Sequence, residues 1–175
     1  MENTHYVYSE AVIDFVATAA RTCLCLEHSA EMDRQTLLNE LLCLLPILYA
    51  KTRLLKETET MSDDEPQHFV MEEDYNYIEA GVKNLLGTDD AYLELLTDDM
   101  RYNNEPTTAY ISENVADVYQ EIKDMAAAYQ TGNESVMNDA VVVCIEAFHT
   151  HWGQKLLNAV HAMHALSEEY ANEEE

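Results

Sequence analysis

RQTLLNELLCLLPILYAKTRLLK, residues 34–56, is the stretch that decides the fold. Leu37, Leu38, Leu41, Leu42, Leu45, Leu48, Thr52 and Leu55 recur at three- and four-residue steps, the spacing that lines one side of an α-helix. The stripe is wide enough to be buried on most sides, so the segment is expected to be a central, Leu-rich helix. Asp33 precedes it as a plausible N-cap. Pro46 lies inside it; proline has no N–H to offer the carbonyl of Leu42, so a kink is expected there.

The same period continues on both sides. Upstream, Ser9 caps a segment ending at Glu27, with Val12, Val16, Ala19, Cys23 and Leu26 on one face. Downstream, Glu72 to Leu86 repeats the pattern through Tyr75, Ile78, Val82 and Leu85 and stops at Gly87. Asp89 and Asp90 are expected to start a short helix over Ala91–Leu96, followed by a polar stretch from Thr97 to Thr108. Ser112 reads as the cap of a helix running to about Gln130. A last segment, Glu134 to Tyr170, would exceed 50 Å as one rod at about 1.5 Å per residue, and Gly153 predicts a bend or break in it. Residues 57–67 are acidic and without period, a mobile loop; the acidic tail 168–175 is expected to fray. With only 4 Gly and 3 Pro in 175 residues, turns are few. The fold class is therefore all-α, one domain over 1–175, a bundle of about five or six helices with its ordered core in 9–166.

Lys and Arg number 9 against 34 Asp and Glu, a formal charge of -25. Duplex binding works by replacing counterions with Lys and Arg, so this surface repels nucleic acid, and it repels anionic membranes equally. No apolar run approaches the ~18 residues of a membrane span, and Met1-Glu2-Asn3-Thr4-His5 has no secretory pattern. Cys23, Cys25, Cys43 and Cys144 fall in helical runs and read as reduced, small apolar fillers. Cytoplasm is the expected compartment.

Motifs that carry chemistry are sparse. Glu146-Ala-Phe-His149 has the Glu-x-x-His spacing that di-iron bundles use twice. The second copy here would be Glu65-Pro66-Gln67-His68, in the acidic loop and interrupted by proline. No catalytic triad, phosphate-binding glycine loop or dinucleotide fingerprint occurs, and no cofactor is implied. Asp117 and Asp124 lie off the apolar face of their helix, Glu121 at its flank, and the three read as a solvated edge. Trp152 falls in line with Phe148 and Leu156, four residues to either side, on a buried stripe. Gly153 beside it costs a helix about 1 kcal/mol relative to alanine, which asks for a compensating reason. His151, Trp152 and Gly153 thus form either a packing hub, with another backbone close to the indole, or an open pocket.

His151-Trp152-Gly153, Ala159 and His164-Ala165-Leu166, taken with Leu44-Leu45-Pro46-Ile47-Leu48-Tyr49 and Val115–Lys123, resemble a bacterial all-helical domain-of-unknown-function family, number 5063, over nearly the whole chain. The resemblance implies a small helical protein and names no activity. Three functions follow as expectations. The first is a non-enzymatic acidic interaction or adaptor protein, its partner a protein of basic charge, with homo-oligomerisation left open. The second is a metal-dependent helical enzyme using Glu146 and His149. The third is a mimic of nucleic-acid charge that occupies a basic protein.

Overall fold

The computed structural model describes residues 3–94 and 105–173. It is an all-α bundle with one small hairpin: α1 (Glu10–Glu27), α2 (Arg34–Leu54), α3 (Glu72–Leu86), β1 (Ala91–Glu94), β2 (Thr107–Tyr110), α4 (Ile111–Tyr129), α5 (Glu134–Ala147) and α6 (Gly153–Glu173). Among the described residues no helix is long and apolar enough to cross a membrane.

Caps set most of the helix starts. Ser9 Oγ accepts from the Val12 N–H, Asp33 from Thr36 at 2.8 Å, and Asn133 from Ser135 and Val136. These bonds occupy N–H groups that have no partner inside the helix. Gly87, at φ 60, ends α3 in a conformation open mainly to glycine.

The centre of the bundle belongs to α4, not to the Leu-rich α2. Eleven of the 19 residues of α4 are buried, and it packs on α1, α3, α5 and α6. In α2 seven of 21 are buried. Leu37, Leu38, Leu41, Leu45 and Leu48 do enter the core, but Cys43, Pro46, Ile47, Ala50 and Leu54 are exposed. The helix runs through Pro46 to Leu54, with the proline on the solvent side.

Two sequence expectations are corrected. The helix expected over Ala91–Leu96 is, as far as Glu94, a strand: Ala91 pairs with Tyr110 and Glu94 with Thr107, antiparallel. Leu95, Leu96 and residues 97–104 lie outside the described residues. Ser112 is not the cap of α4, which starts at Ile111. Asp90 does that work, being buried and accepting both the N–H and the hydroxyl of Ser112 at 2.7 Å. A carboxylate at that end also suits the helix dipole.

The core starts earlier than Ser9. Residues Asn3–Tyr8 form a 3₁₀ turn whose Val7 is buried, and Tyr129 donates to the Val7 carbonyl at 2.5 Å. At the other end α6 continues to Glu173, past the point where fraying was expected.

The long last segment breaks where the glycine indicated. One turn of π-helix, Phe148–Trp152, joins α5 to α6, and the Gly153 N–H reaches back to the Phe148 carbonyl. A Cβ on Gly153 would lie 2.5 Å from that carbonyl oxygen and 3.0 Å from the Phe148 ring. The close approach is therefore to the chain's own preceding turn, not to another helix. Gly153→Ala, favourable by about 1 kcal/mol in an ordinary helix, is expected here to lower stability by about 1–3 kcal/mol through overpacking. Urea unfolding checks the sign.

Candidate functional site

Residues 57–74 cross the bundle as an acidic strap leading into the first turn of α3. Eight carboxylates (Glu57, Glu59, Asp63, Asp64, Glu65, Glu72, Glu73 and Asp74) fall in this stretch with no Lys or Arg. All eight residues are exposed. Read from sequence as a mobile loop over 57–67, the strap has no regular structure until α3, yet its backbone is tied down at two places.

At the first, buried Asp139 of α5 accepts the Met61 N–H at 2.6 Å on one oxygen and the Ser62 N–H at 3.0 Å on the other. Asn138 adds a bond from its amide to the Glu59 carbonyl. At the second, Asp124 of α4 accepts the N–H groups of Phe69 and Val70, at 2.6 and 2.7 Å, both on the same oxygen. Its other oxygen meets His68 Nδ1 at 2.9 Å. That hydrogen bond holds the exposed His68 above the usual imidazole range. Asp117 and Asp124 are thus joints of the structure and not a solvated edge. Asp117 takes the Tyr75 hydroxyl at 2.9 Å and lies 3.5 Å from Lys155. Glu121 is half-buried, and burial pushes its carboxyl up, against the opposing charge of His151.

Beside the strap is a cavity of about 320 Å³ between the end of α1, α3 and α4. Phe69 and Val70 of the strap form one wall, and Tyr77, Ile78 and Tyr119 the others. Glu27, Asp74 and Lys123 supply charge. Lys123 Nζ lies 2.5 Å from Glu27 Oε1, and the Tyr119 hydroxyl donates to the same oxygen at 2.9 Å. Burial, then the hydrogen bond to Glu27, push the Tyr119 phenol well up. Burial pulls Lys123 down, but its bond to Glu27 outweighs that and keeps the ammonium protonated. Neither group is poised to take a proton near neutral pH. With Lys123 and Glu27 neutralising one another, Asp74 leaves the cavity net negative.

The residues singled out by sequence are placed elsewhere. Trp152 has no exposed surface; its indole N–H donates to the Cys144 carbonyl at 2.9 Å, and its ring centroid lies 4.8 Å from that of Phe148. His151 is exposed. Glu146 and His149 are brought together with Glu57 around a cavity of about 290 Å³. Among the described residues no group of three or more His, Cys, Asp or Glu is placed to hold a metal ion. The four cysteines are free thiols. Burial pushes Cys23 up to about 12 and holds the Cys144 thiol well above the ordinary thiol range, so these are inert fillers. Cys43 departs from the expectation by being exposed. A larger cavity, about 590 Å³, lies between the hairpin and α6, and Asn158 is bonded to Glu94 in its lining.

Comparison with known proteins follows the fold closely. The crystal structure of protein BF1032 from Bacteroides fragilis, a structural-genomics target, is 35% identical and superposes with a TM-score of 0.83, covering 92% of this chain and 94% of that one. No curated protein matches. The family model described as "Domain of unknown function (DUF5063)" matches residues 6–169. The chain belongs to the DUF5063 family.

Proposed function

We propose that the chain is a non-enzymatic cytoplasmic interaction protein that docks a basic segment of a partner protein on the 57–74 strap and in the cleft beside it. The observation that carries this is the juxtaposition of eight exposed carboxylates, free of any Lys or Arg in that stretch, with an acidic cavity walled by Phe69, Tyr77 and Tyr119. A Lys or Arg side chain matches such a cleft. Its apolar stem packs on aromatic walls while the cation meets a carboxylate and the ring faces. The fixed attachment of the strap favours docking as well, because less backbone freedom is lost on binding. Against catalysis stands the use of the polar groups: Asp117, Asp124, Asp139, Glu27 and Lys123 are all engaged in holding the bundle together. Charge mimicry is the special case in which the basic partner is itself a nucleic-acid-binding protein.

Affinity capture from native cytoplasm tests the proposal. The wild-type chain should retain a basic protein that about 0.5 M salt releases, and Glu72→Lys/Glu73→Lys should lose it while staying folded, since both residues are exposed and each first-turn carboxylate of α3 contributes only about 0.3–1 kcal/mol through the helix dipole. A partner held equally by the variant, or a turnover that depends on Glu146 and His149, would overturn it.

A further inference from the structure

The outer face of α2 is unlike the rest of the surface in two independent ways. Residues 34–56 carry a single acid, Glu40, and four of the 9 basic side chains: Arg34 and Lys51 are paired with Asp89 and Asp14, while Arg53 and Lys56 are exposed. The remainder of the chain bears nearly all of the negative charge. Along the same helix Cys43, Ile47, Ala50 and Leu54 are exposed at steps of four, three and four residues, one continuous apolar stripe. Leu54 is 75% and Ile47 47% exposed. A stripe of this spacing on the solvent side of a helix is the pattern of a helix–helix seam.

We propose that this face is covered by the α2 of a second copy of the chain, the two helices antiparallel about a two-fold axis between Ile47 and Ala50. The register is self-matching. In that pairing Cys43 opposes Leu54 of the second copy and Ile47 opposes Ala50, so each large side chain meets a small one, as close packing of two helices requires. The same pairing brings Glu40, the one carboxylate of the segment, to the end where the second copy carries the exposed Arg53 and Lys56. Charge also selects the face. Two bodies of net charge -25 repel wherever they meet, and least where the local surface is apolar and poor in carboxylates. An acidic partner protein would be drawn by the same bases, but it would have no reason to reproduce the large-to-small register of the stripe.

The inference goes beyond docking on the strap, uses different residues, and responds to salt with the opposite sign. Docking of a basic segment weakens as salt rises. Apolar association of two like-charged bodies tightens, because salt screens the repulsion between them.

Sedimentation of the full chain from micromolar concentration upward, at low and moderate salt, tests it. The expected result is a mass rising from 20.0 kDa toward twice that value, with tighter association at moderate salt. Ile47→Glu/Leu54→Glu changes only exposed positions and should weaken association by more than about 100-fold, because it would bury charge. Register is read by Leu54→Cys, which should form an interchain disulfide with Cys43 under mild oxidation, lost on adding Cys43→Ser. A monomer at every concentration and salt overturns the proposal. So does a dimer indifferent to Ile47→Glu/Leu54→Glu, an interchain disulfide that survives Cys43→Ser, or an acidic partner that occupies α2 and leaves on adding salt.

Discussion

Trp152→Ala should lower the free energy of unfolding by about 3–5 kcal/mol, the usual cost of deleting a large buried aromatic. The indole is completely buried and stacks edge-on with Phe148, whose ring in turn lies 5.1 Å from that of Tyr49 on α2. It also does a backbone job. The indole N–H donates to the Cys144 carbonyl, which also accepts the Phe148 N–H, and so ties the ring across the π turn to the end of α5. Trp152→Phe keeps an aromatic ring but abandons that bond and should recover part of the loss. Urea unfolding followed by circular dichroism measures both variants, since tryptophan emission disappears with the only tryptophan. A loss below about 1 kcal/mol in the alanine variant would mean that the turn does not depend on the indole.

The second large effect is expected from a change of one atom. Asp139→Asn should cost about 2–3 kcal/mol, and Asp124→Asn less than about 1. Asp139 receives Met61 on one oxygen and Ser62 on the other, so an amide must set its NH₂ against one of two backbone donors. Asp124 receives Phe69 and Val70 on a single oxygen, which an asparagine retains. It gives up the charge and the second acceptor oxygen, both of which face exposed His68. That pair has its own pH signature. The folded-state pKa of His68 is raised, so its small contribution is present in full below about pH 6.5 and fades as pH rises through the folded value. Asp124→Asn should flatten that slope. Equal losses in the two variants would show that the oxygen-by-oxygen geometry does not govern the strap.

Helices with a strong apolar period were legible from sequence nearly to the residue: α3 spans Glu72–Leu86 as its spacing indicates, and α1 and α2 begin after Ser9 and Asp33. Gly153 marked the break in the last segment because glycine inside a helix asks for a reason. Its reason, the carbonyl of Phe148 in a π turn, has no sequence signature. The hairpin was missed because four residues of β1 are too few to show alternation, and the pairing partner Thr107–Tyr110 is not local. Asp90 imitated a local helix cap while capping a helix 22 residues away through Ser112. The strap and its cleft failed for the same reason. Asp117 and Asp124 sit on the polar side of α4, where periodicity assigns charge to solvent. That side is where Tyr75, Phe69 and Val70 arrive from 42 to 55 residues earlier in the chain. Acidity was legible, and what it held was not.

The most direct measurement is residue-specific photo-crosslinking in the native cytoplasm. A photoreactive phenylalanine analogue replaces Tyr77, an exposed wall of the cleft, and in a separate chain replaces Leu157, also exposed but on α6. Docking on the strap predicts that position 77 links to one basic protein and that Glu72→Lys/Glu73→Lys removes the link, with none from position 157. The same product from both positions, or a link at 77 that persists in the charge-reversed chain, would contradict it.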